Sequence, residues 1–385
     1  MWALAVAFVA AVAAMSLLIA KLRAVVKRSR SDAAAAMPDD ASFPPVSVIV
    51  YDFSNASSLC EVLPRMLEQD YPAPVEVIVV NDAGRDATEE VIARLERTYS
   101  NLYMTSVPEE SRHLSRRKLA ITLGIKAARY EAVLLTGGNC LVESPMWLRS
   151  MMRHVAYGKS LVIGWAYPER PLKDDDGGKG SVRLRSFDVV RTAVEYLAWA
   201  IKGHPWRGTG YNMAMRSELF FRNKGFSRTL NLHRGDDDIW VREVATPQNC
   251  DVELSPDSMI GVMEADQVSA HMAEKVSREF TSAKAGRGAR LTFSFVSWCC
   301  WLWLAGSVIA VVTGLPYIVP LTATGLLAVA FWLPVMFMWR SASVTLKCRR
   351  LFFTVPVFML WHPFYTLLYK IRSRRSRRSN YTTVI

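Results

Sequence analysis

The sequence predicts an α/β domain on a mixed, mostly parallel sheet with flanking helices, joined to N-terminal and C-terminal transmembrane helices. Three observations predict it. Between residues 44 and 135, short runs rich in Val, Ile and Leu alternate with longer stretches whose apolar residues recur at helical spacing. The short runs are almost continuously apolar, as strands buried on both faces of a parallel sheet are. Long uncharged runs lie toward both ends of the 385 residues, each beside a basic cluster.

Charge placement narrows the class. Lys and Arg number 47 against 35 Asp and Glu, a formal net charge of +12. The windows Lys21–Arg30, Arg340–Arg350 and Lys370–Arg378 hold 15 of those basic residues and no acidic one, so elsewhere 32 basic residues face 35 acidic. An excess confined to the flanks of apolar runs marks membrane edges, not a nucleic-acid surface. A 51% hydrophobic composition excludes a disordered chain. The six cysteines (60, 140, 250, 299, 300 and 348) form no Cys-x-x-Cys pair, which fits a reduced compartment and neither a disulfide framework nor a zinc site.

Taken in order, Trp2–Ala20 is uncharged and long enough for a bilayer-spanning helix, and its positive charges follow it. Residues 1–21 are therefore expected to be an uncleaved anchor, with 22–43 a basic flank and a flexible linker over Ser31–Asp40. Residues 44–285 are expected to be a cytoplasmic domain. Its first strand is Val46–Val50 and its first helix Ser57–Gln69. Val75–Val80 is the second strand, and Asp86–Arg97 a helix that Asp86 opens. Leu102–Thr105, a helix over Ser115–Ala128 and the strand Ala132–Leu135 complete the alternation. Leu291–Val312 and Leu315–Trp339 then predict a transmembrane hairpin within 286–340. Leu351–Tyr369, broken by Pro356, His362 and Pro363, predicts an interfacial or re-entrant helix before the basic tail of 341–385. The implied location is the cell inner membrane, multi-pass.

In such a sheet, ligands bind beyond the carboxyl ends of the strands, so chemistry is sought there. Asn81-Asp82-Ala83-Gly84-Arg85-Asp86 follows the second strand. Gly235-Asp236-Asp237-Asp238-Ile239 places three carboxylates in a row, whose mutual repulsion raises at least one pKa and suits proton transfer or cation binding; the same run suits a helix start. Trp206 is a candidate to stack on a sugar ring.

Several of these segments together resemble family-2 glycosyltransferases of the GT-A fold. They are Pro45–Tyr51, Leu67–Pro72, Glu76–Asp82, Ser115-Arg116-Arg117-Lys118-Leu119-Ala120, Gly124–Ala128, Gly208-Thr209-Gly210-Tyr211-Asn212-Met213-Ala214, Gly225-Phe226 and Gly235–Ile239. The resemblance implies that Asp82 holds the uracil or ribose of a nucleotide-sugar and that Lys118 approaches the nucleotide. Tyr51, Gly137, Gly138, Asn139 and Arg287 would lie on the nucleotide-sugar side, and Gly208, Gly210 and Asn212 on the acceptor side. Asp236 would be the general base, with Asp237 and Asp238 beside it. The implied reaction is inverting transfer from a UDP-sugar to a glycan or polyprenyl-linked acceptor at the membrane lipid, with no nucleic acid involved.

Two departures from the family's pattern stand out. Where the family places Asp-x-Asp for Mg²⁺ or Mn²⁺, this chain has Thr136-Gly137-Gly138-Asn139-Cys140. Asn139 is left as the metal candidate, a neutral oxygen that holds a hard cation weakly. The membrane-proximal Gln-x-x-Arg-Trp element corresponds to Lys284-Ala285-Gly286-Arg287-Gly288. Both departures also fit a catalytically impaired relative, a scaffold or binding partner for another glycosyltransferase or paralogue in glycan synthesis.

Overall fold

The computed structural model describes residues 2–51, 56–82, 86–108, 114–169, 178–263, 267–284, 288–314 and 318–375. It contains two compact units. The first helix, α1 (Trp2–Ala34), contributes residues through Lys27 to one unit and its last turns, from Arg28, to the other.

The larger unit holds residues 28–171, 199–285 and the last turn of the C-terminal helix from Arg372. Its first half alternates β1 (Val46–Tyr51), α2 (Ala56–Leu67), β2 (Val75–Asp82), α3 (Asp86–Glu96), β3 (Leu102–Val107), α4 (Arg116–Ala127) and β4 (Ala132–Gly137). These are the seven elements the hydrophobic pattern predicts, each within a few residues of its expected ends. Every residue of β1 and of β4 is buried, as their uninterrupted apolar runs require. The Ser115 hydroxyl caps α4 by accepting from the Lys118 amide.

Beyond β4 the chain adds β5 (Cys140–Leu141), α5 (Trp147–Ala156), β6 (Leu161–Ile163) and β7 (Ala166–Pro168). Next comes α6 (Gly178–Ile201), most of which belongs to the other unit. Then follow β8 (Met213–Arg216), α7 (Ser217–Arg222), α8 (Ile239–Val244), β9 (Cys250–Val252), β10 (Ile260–Val262) and α9 (Gln267–Lys284).

The main sheet has seven strands in the order β3-β2-β1-β4-β8-β6-β9. Pairs β2–β3, β1–β2, β1–β4 and β6–β9 are parallel, and β8 runs antiparallel to both its neighbours. The chain goes from β1 outward through β2 and β3, then crosses back to lay β4 on the opposite side of β1. The β1–β4 junction is therefore the topological switch point, where an α/β sheet opens a crevice at its carboxyl edge. The last residues of these strands, Tyr51 and Gly137, are register partners.

The segment expected to be a flexible linker is helical as far as Ala34. Asp32 is buried and accepts from Arg28 and from the Leu254 amide, while Arg153 donates to the carbonyls of Asp32 and Ala35. Those bonds satisfy carbonyls that a free helix end leaves open, so the chain gains by staying helical there.

The smaller unit gathers residues 1–27, 172–198 and 286–371. Its C-terminal helices are α10 (Gly288–Gly314), α11 (Ile318–Thr345) and α12 (Val355–Arg375). Among the described residues, Gly325–Thr345 is long and apolar enough to cross a bilayer, and Phe295–Ile309 is a shorter apolar segment. The expected N-terminal span Trp2–Ala20 and the first hairpin span Leu291–Val312 fall in the helices α1 and α10 and lie only partly among the described residues. Most side chains of Trp2–Ala11 and of residues 313–321 lie outside the description. Inside this unit Phe187 stacks on Trp339 with ring centroids 4.5 Å apart. Buried His362 of α12 bonds Asp188 of α6 at 2.8 Å and also contacts Arg191.

Candidate active site

Tyr51 ends β1 at the sheet's carboxyl edge and is fully buried. Its carbonyl accepts from the Gly138 amide at 2.9 Å, and its hydroxyl donates to the Gly210 carbonyl at 2.5 Å. Gly137 ends β4 beneath the ring of Tyr211. A Cβ at position 137 would lie 2.8 Å from Tyr211 Cδ1 and 2.6 Å from Asn139 Oδ1. Real Cβ atoms essentially never come that close, so a side chain at 137 would force Tyr211 or Asn139 to shift. The space that a side chain at 137 would use is already filled.

Arg117, near the start of α4, enters the same place. Its Nε donates to Asp236 Oδ2 at 2.9 Å, and its two terminal nitrogens reach the hydroxyls of Tyr211 and Tyr51 at 3.4 and 3.3 Å. The guanidinium carbon lies 5.0 Å from both tyrosine ring centroids, a double cation–π arrangement. Gly210 sits where these groups meet. A Cβ there would fall 2.8 Å from Tyr51 Oη and 2.9 Å from both Arg117 Nη2 and Asp236 Oδ2.

The three consecutive aspartates occupy three different environments. Asp236 is 2% exposed, and its Oδ1 is buried with no hydrogen-bond partner among the described residues. Burial pushes its pKa up, but the guanidiniums of Arg117 and Arg234 outweigh burial and hold it below the ordinary carboxylate value. Asp237 is 22% exposed and 3.8 Å from Arg207. Burial and the neighbouring charge of Asp236 raise its pKa. Asp238 caps α8, accepting from the Ile239 amide at 2.6 Å and from the Thr281 hydroxyl at 2.5 Å. Burial raises the pKa of Tyr51 well above its ordinary value, and the carboxylate of Asp236 raises that of Arg117 against the effect of burial. The cluster thus offers a protonated phenol, a permanent cation and an ionised carboxylate.

Lys118 is fully buried; its ammonium donates to the Thr229 carbonyl at 2.7 Å and lies 5.7 Å from the centroid of the Phe226 ring. It is also near enough to the trio to help lower the pKa of Asp236. Asn212 is also fully buried. Its Oδ1 accepts from the Trp147 indole, and its Nδ2 donates to the carbonyls of Trp165 and Ser258. All its hydrogens are used within the domain, so it holds the fold and leaves no group for an acceptor. The Gly208 amide donates to the Asp237 carbonyl at 2.7 Å and fixes the loop beside the trio. Asp82 ends β2 opposite Val107, its side chain lying outside the described residues along with Arg287. Trp206 is half-buried, and its indole nitrogen is unpartnered among the described residues.

Asn139 Oδ1 lies 3.7 Å from the Cys140 thiol and against Gly137, and the Asn139 carbonyl accepts from the Met263 amide. Asp32, His154 and Glu253 bring three potential metal ligands within 4.8 Å of one another. Arg28 and Arg153 already neutralise those carboxylates, at 2.8 Å from Asp32 and 2.5 Å from Glu253.

The glycosyl transferase family 2 model matches residues 47–208, which contain β1 through α6 and the Tyr51–Arg117–Gly137 part of the cluster. No curated protein matches the sequence. Among solved structures, the mannosyltransferase PcManGT from Pyrobaculum calidifontis, in complex with GDP-Man and Mn2+, superposes with a TM-score of 0.54 at 17% identity. The match covers 94% of this chain and 99% of that one.

Proposed function

We propose that this chain, whose residues 47–208 match the glycosyl transferase family 2 model, transfers a sugar from a nucleoside-diphosphate sugar to a hydroxyl of a glycan or lipid-linked acceptor. The observation that carries this reading is the buried carboxylate of Asp236 beside Tyr51 and Arg117, with Oδ2 held by Arg117 and Oδ1 unpartnered among the described residues. A buried carboxylate oxygen without a donor is costly to keep unless a ligand supplies the hydrogen. An acceptor hydroxyl supplies one. Oδ1 takes its proton as the hydroxyl oxygen bonds to the anomeric carbon and the bond to the diphosphate breaks, which inverts the configuration. Arg117 and Gly210 fix the carboxylate's orientation, and Asp237, with its raised pKa, is the second group able to carry a proton.

A nucleoside-diphosphate sugar is the donor class that the family match and the fold support. The narrower expectation of a UDP-sugar finds no support in the comparisons, since the solved relative carries GDP-Man. Among the described residues at the end of β4, the Mn2+ of that structure would meet no carboxylate. Residues 136–139 carry no carboxylate, Tyr211 fills the space over Gly137, and Asn139 Oδ1 is packed against Gly137 and Cys140.

The chain is further read as membrane-anchored, with its sugar chemistry on the cytoplasmic face. Support comes from the helical unit, where Trp298, Leu302, Val312, Leu326, Phe337, Phe353 and Leu368 are all exposed on α10, α11, α12 or the turn before α12. Such surface is stable against lipid and is an aggregation liability in water. Assaying the purified full chain with GDP- and UDP-sugars tests the reading. Turnover that disappears in Asp236→Asn supports it. Absence of turnover with every donor, alongside tight binding of another glycosyltransferase, would favour the scaffold reading instead.

A further inference from the structure

Building on the membrane-anchored reading, we infer that α12 lies in the plane of one leaflet instead of crossing the bilayer, with its outward face in the acyl chains and its basic ends on anionic lipid headgroups. Phe353, Val357, Trp361, Phe364, Leu368 and Ile371 are between 39% and 82% exposed. They recur every three or four residues, from the turn before α12 to its last turns, and so share one face. The inward face carries Val355, Met359, His362 and Tyr369, all buried. An apolar face left open beside a packed one is stable against lipid.

Length does not decide how α12 meets that lipid, since its 21 residues rise about 30 Å, enough to cross. The surroundings of its middle do decide. Met359 and His362, near the centre of the apolar run Leu351–Tyr369, line one cleft with Leu18, Val296, Ser297 and Trp339. Leu18 stands at the end of the uncharged run Trp2–Ala20, just before Lys21 and Arg23. Val296 and Ser297 open the apolar segment Phe295–Ile309, shortly after Arg290. Trp339, followed by Arg340, is in the last two turns of Gly325–Thr345. All four lie toward the basic ends of their apolar runs, the ends that mark one side of a bilayer. The centre of α12 thus meets the edges of the other helices, whereas a helix crossing beside them would bring its centre to theirs. Trp301 lies further along α10 and donates to the Leu360 carbonyl at 3.2 Å; helical side chains tilt toward the N-terminus, which carries its ring back to this edge.

Charge agrees with that depth. The buried His362 imidazole bonds Asp188 at 2.8 Å and contacts Arg191. A crossing α12 would set these three ionisable side chains near the bilayer midplane, where even paired groups are costly. Arg350 precedes the helix, and Lys370, Arg372, Arg374 and Arg375 close it; all five are exposed, and none pairs with a carboxylate among the described residues. No Asp or Glu occurs from Arg340 to Arg378. Crossing would carry one basic end through the bilayer, while an in-plane helix keeps both on one side, where anionic headgroups complement them.

The test places the full chain in lipid nanodiscs of phosphatidylcholine with phosphatidylglycerol. Val357→Cys, Trp361→Cys, Phe364→Cys and Leu368→Cys are labelled one at a time with a nitroxide, and the unsubstituted chain, treated alike, supplies the background of the native cysteines. All four positions are exposed, so their packing inside the chain is little disturbed. Collision with oxygen and with a water-soluble nickel chelate reads each label's depth. One shallow depth common to the four is expected; a crossing helix would spread them over roughly 16 Å. Spin-labelled phosphatidylglycerol is expected to be held at least about fivefold over spin-labelled phosphatidylcholine, what one basic residue near an anionic surface contributes. That preference is expected to disappear in the combined variant Lys370→Gln, Arg372→Gln, Arg374→Gln and Arg375→Gln. Graded depths, no lipid preference in the parent, or a preference that the Gln variant keeps would each overturn the inference while leaving the membrane reading intact. So would dipolar coupling between labels of two chains in one disc, which would give this face to a second copy. A chain that stays dissolved without detergent and enters no disc would remove the membrane reading, and this inference with it.

Discussion

The Nε of Arg117 and the Oδ2 of Asp236 meet at 2.9 Å across 119 residues of sequence, joining the start of α4 to the loop before α8. The pair splits the duties of the aspartate trio. Asp236→Asn removes the unpartnered oxygen's negative charge and is expected to lower turnover by roughly 10²–10⁴-fold, the usual contribution of a positioned base. Asp238→Ala removes a helix cap and is expected to cost about 0.5–2 kcal/mol of stability. Steady-state rates and thermal unfolding of the two variants check the division. A reversed pattern, with Asp238 controlling rate and Asp236 stability, would refute it.

Gly210 makes a sharper steric prediction. A single methyl at 210 would intrude on Tyr51, Arg117 and Asp236 simultaneously, each within 2.9 Å of its position. None of the three is a loose surface chain, so the triad must shift. A displacement near 1 Å at a reacting group costs on the order of 10²-fold in rate. Gly210→Ala is expected to show that loss with an unchanged circular dichroism spectrum, and full activity in the variant would show that the three groups do not act together.

Lys118 and Arg117 can be told apart by what their loss affects. Lys118→Met keeps most of the packing against Phe226 but leaves the Thr229 carbonyl without its donor. The expected loss is about 1–3 kcal/mol of stability, with the KM for the donor unchanged. Arg117→Lys keeps the charge, loses the planar fork and is expected to raise that KM. Denaturant melts and donor titrations on both variants decide it; a raised KM in Lys118→Met would return that residue to the site.

The contrast between these neighbours marks what sequence can and cannot tell. Helical phase did carry the information: Lys118 shares the buried face of α4 with Ile121 and Ile125, and Arg117 is turned about 100° away from it. The same periodicity made β1 through β4 readable, because their burial is continuous. Strands β5, β6, β7, β9 and β10 are two or three residues long, too short for any period to register. The burial of Asn212 depends on Trp147, Trp165 and Ser258, which only the folded sheet brings together. At the end of α1, Arg28 and Asp32 stand at helical i, i+4 spacing, a local sign that the helix continues past the expected linker boundary.

That helix end supplies the pH prediction. Both ring nitrogens of His154 face carboxylates, Nε2 at 2.9 Å from Glu253 and Nδ1 at 3.3 Å from Asp251, with Arg28, Arg153 and Asp32 around them. A neutral imidazole has one N–H and would set its other nitrogen's lone pair against a carboxylate. Burial lowers the His154 pKa, yet the bonds to Asp251 and Glu253 outweigh it and leave the value raised. A raised folded value means the stabilisation is complete below the unfolded pKa of about 6.5 and is lost as pH rises through the folded value. Asp251 and Glu253 have lowered values, so their contribution is present above the ordinary carboxylate range and is lost as pH falls through those lowered values. Thermal midpoints measured from about pH 6 to about pH 9 are therefore expected to fall, the range in which a raised histidine gives up its proton. His154→Gln keeps a hydrogen-bonding side chain but cannot titrate, and its midpoint is expected to stay flat across the same range. A slope in the variant parallel to that of the parent would assign the pH dependence to another group.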